Sequence, residues 1–298
     1  MWNRSITLLL LTIACASAGY SQEFANGVQL TTMKAPFVLR ILGQDLDIRQ
    51  ANADQEKAYF SMTSGTTKLN VSVFIEPIGD CKTAVECRDH VLGAGNPRWG
   101  GLQDLKKGKM GEASYFEFYR PEVDGKPVKM LDMYAEFVRD GYWLDMHISK
   151  VLYDEKDHAL FESVVSSAQL ISKSDKTAAA FDSTMGDGLS ATGGWLAVWD
   201  KAKCSESYAG LSSVTRSGTS EANWTAYCKK TTSYLGPLLM RQPIAATFTN
   251  SPLSKTDRPL GVVAYYSEFT NRPAGLVEVV PVLLEKNGRW AVTNYLLQ

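Results

Sequence analysis

The chain has 298 residues, 45% of them hydrophobic and 21% charged, and a formal net charge of −1. This is a globular composition, which excludes collagen-like, disordered and small disulfide-framework chains. Charge so close to neutral also excludes nucleic acid as the main partner, because that role needs a basic field. At roughly 100–200 residues per domain, the length fits two domains.

The N-terminus reads as a secretory signal peptide over residues 1–18. Arg4 is the only charge in the first 22 residues, and a ten-residue apolar run occupies 5–14. Ala16-Ser17-Ala18 then fits a signal-peptidase site. A short apolar run with a positive flank and an A-x-A site marks export and not a membrane span, which needs about 20 apolar residues. The mature chain is therefore expected to be periplasmic or secreted. Leu11-Thr12-Ile13-Ala14-Cys15 resembles a relaxed lipobox. That second route would make Cys15 a lipid anchor at the inner or outer membrane.

Either route removes Cys15 from the thiol pool and leaves Cys81, Cys87, Cys204 and Cys228. An even number in an oxidising compartment suggests disulfides, with three connectivities open. Sequence separation favours the pairs 81–87 and 204–228. No C-x2-C spacing is present, which argues against zinc and gives no metal site.

Charge divides the mature chain. Residues 23–173 carry 18 Lys+Arg against 22 Asp+Glu, and residues 174–298 carry 12 against 10. All three histidines lie in the first part, and four of the seven tryptophans lie in the second. A polar, small-residue stretch over 172–180 separates them, so the expected division is 23–173 and 174–298.

In the first part, residues 57–62 and 68–75 read as a hairpin around Ser64-Gly65. Thr83 and Glu86 form a capping-box pattern opening a helix to about Leu92. Cys81 then lies outside that helix and Cys87 in its first turn, a separation that a bridge can close. The Gly-rich loop at 93–101 lacks both a P-loop lysine and a dinucleotide fingerprint, so no nucleotide cofactor is called for. Strands follow at 113–120, 129–139 and 142–151, joined by Asp124-Gly125 and Asp140-Gly141 turns. Residues 154–167 read as an amphipathic helix with Leu160, Phe161, Val164 and Val165 on one side. This element order predicts an α+β fold: an antiparallel-sheet α/β sandwich. The closing run Trp143–Ser149 and its helix resemble the fold shared by the photosystem II extrinsic protein PsbP, Mog1 and the lipoprotein DcrB. That resemblance covers residues 35–171 and implies a binding or scaffold role.

In the second part, Trp195, Val198, Trp199 and Ala202 recur at helical spacing within 188–203 and read as core. Residues 204–220 look turn-like. A second helix spans about 220–234 and ends at Gly236-Pro237. Strands are expected at 239–249, 261–271, 276–285 and 289–297, with Asn287-Gly288 turning into the last. Helices packed on a curved antiparallel sheet describe the nuclear-transport-factor-2-like cone. Trp199-Asp200, Ser207-Tyr208, Trp224, Leu235-Gly236-Pro237, Arg241, Gly261, Phe269, Glu278 and Gly288-Arg289-Trp290 through Tyr295 resemble domain-of-unknown-function family 4019, a bacterial family. The resemblance covers about 190–298 and implies no activity.

Signals for chemistry are sparse. The second part has no histidine. Glu278 in an apolar strand, Arg241 on an earlier one, and Tyr265 are its weak ligand-binding candidates, with Tyr266 and Tyr295 also at hand. A salt bridge is the plainer reading of Arg241 and Glu278. Trp143, Asp145, His147 and Ser149 share a strand face. Neighbours two apart on a strand lie about 7 Å from each other, too far for a catalytic relay. No catalytic residue is assigned. Three readings remain: a non-catalytic envelope protein binding a protein or small molecule, a carboxylate-and-tyrosine hydrolase or isomerase using the cone, and an assembly factor at the membrane surface. A filled cone would favour an interaction role, and an open polar one the enzyme.

Overall fold

The computed structural model describes residues 27–93, 103–123, 125–175, 183–249 and 258–298. The signal segment, Cys15, Asp124 and most of the 93–101 loop and of the 172–180 stretch lie outside them.

The first strands are β1 (Gly27–Leu30), β2 (Phe37–Leu42), β3 (Leu46–Ala53), β4 (Ala58–Ser64) and β5 (Asn70–Pro77). Helix α1 (Ala84–Val91) follows, then β6 (Gln103–Met110), β7 (Ala113–Val123), β8 (Lys126–Arg139) and β9 (Tyr142–Lys150). A 3-10 turn, Glu155–Asp157, leads into α2 (His158–Ser167), and β10 (Ala168–Ser172) closes this part. The remainder comprises α3 (Ser183–Trp199), α4 (Cys204–Ala209), α5 (Ser213–Gly218) and α6 (Glu221–Leu235). Strands β11 (Leu238–Thr249), β12 (Leu260–Phe269), β13 (Arg272–Leu284), β14 (Trp290–Val292) and β15 (Leu296–Leu297) end the chain.

Local chemistry explains many of these boundaries. Thr83 caps α1 by accepting from the Glu86 amide at 3.2 Å. The Glu86 carboxylate reaches the Lys82 amide at 2.7 Å, one residue beyond the expected box partner. Asp140 and Gly141 take φ of 49° and 79°, the left-handed pair that a two-residue hairpin needs between β8 and β9. Strands β4 and β9 alternate buried and half-buried residues, as half-covered strands do. In α2, Phe161, Val164 and Val165 are buried, on the expected side.

Two antiparallel sheets result, an α+β architecture. One has the order β3-β4-β5-β9-β8-β7-β6, and α1 packs on its β7 and β8. The other runs β10-β2-β1-β11-β12-β13-β14, with β15 also on β13. This second sheet crosses the charge-based division near residue 174. Gly27 to Leu30 pair in register with Phe248 to Ala245, and every residue of β1 is buried. One apolar core likewise joins Phe60, Met133 and Met146 of the first sheet to Ile244, Tyr266 and Val279 of the second. Ala51 donates to Gln298 Oε1 at 2.8 Å, and Gln55 to Glu268 at 2.9 Å. The division near 174 therefore marks a change in sequence character and not a break in hydrogen bonding.

The turn-like expectation for 204–220 is corrected. Two six-residue helices, α4 and α5, occupy it, and Ser212 caps the second through the Thr215 amide. Cys204 therefore opens α4 and does not end the preceding helix. The single strand expected at 289–297 is broken into β14 and β15 at Thr293–Tyr295. Phe248 is held between two glycines: a Cβ on Gly188 or Gly261 would come within 2.2 or 2.5 Å of its ring. Helix α3 can approach the Phe248 ring closely only because Gly188 carries no side chain, while Gly261, paired with Phe248 in the sheet, leaves the ring its place there.

Candidate functional site

The candidate site is a polar cluster where the end of α3 meets strands β11, β12 and β13. Arg241 lies on β11, Ser267 on β12 and Glu278 on β13, while Asp200 follows the last residue of α3. The sheet places Arg241 opposite Ser267, and Tyr265 opposite Glu278. Arg241 Nη1 and Nη2 donate to the two Asp200 oxygens at 2.6 and 2.9 Å. Its Nε and Nη2 donate to Glu278 at 2.5 and 2.8 Å. Tyr295 donates to Glu278 Oε1 at 2.6 Å, and Ser267 donates to Oε2.

Glu278 is 0% exposed, and each of its oxygens receives two hydrogen bonds. A carboxylate offers about four acceptor sites, so Glu278 is saturated. Burial opposes the charge on Arg241, but hydrogen bonds to Asp200 and Glu278 outweigh it and hold the pKa above the usual arginine value. Burial, then the Glu278 charge and hydrogen bond, push the Tyr295 hydroxyl far up. Burial lifts Tyr265 to about 12, against the opposing hydrogen bond with Thr192. Both hydroxyls stay neutral across the physiological range, and Tyr295 acts as a donor to Glu278.

Of the residues singled out from sequence, the structure brings Arg241 and Glu278 together and adds Tyr295. Tyr265 turns to Thr192 on α3. Tyr266 packs in the shared core and donates to Glu268 at 3.0 Å. Sequence reasoning did not foresee Asp200 and Ser267 as partners. Both sit far from Arg241 in the chain, and only sheet register and the end of α3 bring them near. A lone arginine in a half-buried strand was the available signal, since such a charge needs partners.

Beside this cluster the helices and the sheet pack through aromatics. Trp195 lies 5.1 Å from Trp199 between ring centroids, and Trp199 lies 5.6 Å from Trp224 and 4.6 Å from Tyr295. Cys204 and Cys228 are buried in the same cluster at disulfide distance, with Cα atoms 5.7 Å apart. Cys81 and Cys87 stand at 4.9 Å, also at disulfide distance.

The His147 face of β9 finds its partners across strands. His147 Nε2 lies 2.7 Å from Asp132 Oδ1 and stacks on Tyr134 at 4.2 Å. Trp143 donates to Glu136 at 2.6 Å, and Asp145 lies opposite Glu136 in the ladder.

With this geometry in view, three comparisons bear on the chain. Residues 191–295 match a family described as Protein of unknown function (DUF4019). The C-terminal resemblance to that family therefore holds. No curated protein matches. Among solved structures, the solution structure of cyanobacterial PsbP (CyanoP) from Synechocystis sp. PCC 6803 is similar at 15% identity and a TM-score of 0.34, over 53% of this chain and 97% of that one. Among the described residues, no helix is long and apolar enough to cross a membrane.

Proposed function

We propose that the chain is a non-catalytic binding protein of the bacterial cell envelope, exported by its N-terminal segment. The saturation of Glu278 carries this reading. A general acid or base must reach the proton it moves, and the buried Glu278 carboxylate has no free acceptor site to offer a substrate. The aromatic packing between the helices and the sheet supports an interaction role in the same way. The two cysteine pairs at disulfide distance support an oxidising compartment. Chain purified from its host envelope should begin at Gly19, or at a lipidated Cys15, by intact mass. The catalytic alternative is tested with a panel of p-nitrophenyl esters and phosphoesters. The binding reading expects no turnover above buffer. Turnover that Glu278→Gln abolishes in a still-folded chain overturns it.

A further inference from the structure

A cavity of about 230 Å³ lies where α4 and α5 meet the turn between β13 and β14. It is smaller than the roughly 300–1,000 Å³ of drug-sized sites, so its occupant is small or enters by one end. Arg216 of α5 and Arg289 of the turn both line it. Neither guanidinium has a carboxylate partner among the described residues. Arg216 Nη1 donates at 3.3 Å to the carbonyl of Ala209, another wall residue. Arg289 is bonded through its backbone: its amide donates to Asn287 Oδ1 at 3.1 Å, and its carbonyl accepts from the Glu285 amide at 2.8 Å.

Glu285, the acid on the same wall, is already engaged. Its carboxylate accepts from the Ser213 amide at 2.6 Å, the Ser213 hydroxyl at 3.0 Å and Arg258 at 2.5 Å. Arg258 cancels its charge, so Arg216 and Arg289 leave two positive charges uncompensated at this cavity, in a chain whose formal net charge is −1. The same bonds hold the site rigid. Glu285 clamps the start of α5 to the turn, and the Thr215 hydroxyl donates to the Thr293 carbonyl at 2.8 Å. The two arginines are therefore carried on elements fixed to each other.

The donors narrow the ligand. A guanidinium offers five N–H donors in a planar fork and no acceptor. Two forks and two charges suit a doubly charged anion with more than two oxygens. A carboxylate brings one charge and two oxygens. A phosphate monoester brings about −1.5 to −2 charge and three acceptor oxygens.

We propose that this cavity binds the phosphate monoester group of a small molecule or a lipid headgroup, held between Arg216 and Arg289. The proposal rests on the reading of the chain as a binding protein and names a site and a ligand class for it.

The test titrates the full mature chain with glycerol 3-phosphate and with glycerate, by calorimetry at pH 7.5 and low salt. Glycerol 3-phosphate should bind saturably, and glycerate at least about tenfold more weakly. Arg216→Gln and Arg289→Gln should each weaken the phosphate about tenfold or more. Both positions are exposed, so these variants should unfold with wild type. Arg289→Lys keeps the charge and loses the fork; it should cost at least about threefold and serves if a glutamine variant does not fold. Cosedimentation with phosphatidylcholine vesicles holding phosphatidic acid separates the two sources. Capture that the glutamine variants abolish assigns the phosphate to a lipid headgroup, and binding of glycerol 3-phosphate without capture assigns it to a soluble molecule. No binding of phosphate in either form, unchanged affinity in both glutamine variants, or equal affinity for glycerate overturns the proposal. Such a result with no ester turnover sinks this cavity and leaves the binding role standing. Turnover sensitive to Glu278→Gln sinks the role itself.

Discussion

Replacing Cys204 and Cys228 together by alanine should cost the chain a large part of its stability. The pair is 24 residues apart and ties the first residue of α4 to the middle of α6. In the chain-entropy relation, closing a loop of 24 residues stabilises the folded state by about 3.4 kcal/mol at 25 °C. Both side chains are buried against the tryptophan cluster, so lost packing adds about 1–2 kcal/mol. Alanine is the right replacement because serine would leave buried hydroxyls in search of partners. The sum, about 5 kcal/mol, compares with a typical total stability of about 5–15 kcal/mol. Equilibrium unfolding in guanidinium measures it directly. The comparison should be made in a Cys81→Ala/Cys87→Ala background, so that reductant acts on one pair only. There, reductant should destabilise the chain holding Cys204 and Cys228 and leave the chain without them unchanged. A loss below about 1 kcal/mol, or a reductant effect that survives the double replacement, would refute the reasoning.

Glu136 supplies a prediction with a definite sign. Burial first, and the nearby Asp145 second, raise its pKa well above the usual carboxylate range, against the opposing Trp143 hydrogen bond. The folded chain therefore holds a proton that the unfolded chain has released, and stability falls as pH rises from the ordinary glutamate range toward the raised value. Glu136→Gln should unfold with wild type at pH 4 and be the more stable of the two at pH 8; an equal difference at both pH values would contradict this. The shared sheet predicts that residues 174–298 made alone unfold at lower denaturant than in the full chain, because β11 loses β1 and Ile244 loses its packing partners. Equal midpoints would show that the interface adds nothing.

Much of the fold was legible because short-range chemistry dictates it. The Thr83 cap, the Asp140-Gly141 turn and the apolar side of α2 are each decided within a few residues. Helices α4 and α5 escaped because six residues carry no readable apolar period, and their stop and start lie in capping hydroxyls. Strand β1 is short and buried throughout, so it shows no alternation, and its place between β2 and β11 depends on residues more than 200 positions away. The polar cluster around Arg241 was half legible for the same reason. Arg241 and Glu278 stood out as charges in apolar strands. Asp200 and Ser267 read as ordinary polar residues until register placed them beside the guanidinium.

A double-mutant cycle on Arg241 and Glu278, read by equilibrium unfolding, tests the central claim that the charges of this cluster are committed to one another. Arg241→Met alone leaves Glu278 buried with only Ser267 and Tyr295, and Glu278→Leu alone leaves Arg241 with Asp200. Each should cost about 3–5 kcal/mol, because removing one partner strands a buried charge. The double variant should cost clearly less than the two losses together, giving a coupling of at least 2 kcal/mol. Additive losses, or a Glu278→Leu chain as stable as wild type, would mean that the carboxylate is not held by this network, and the account would fail.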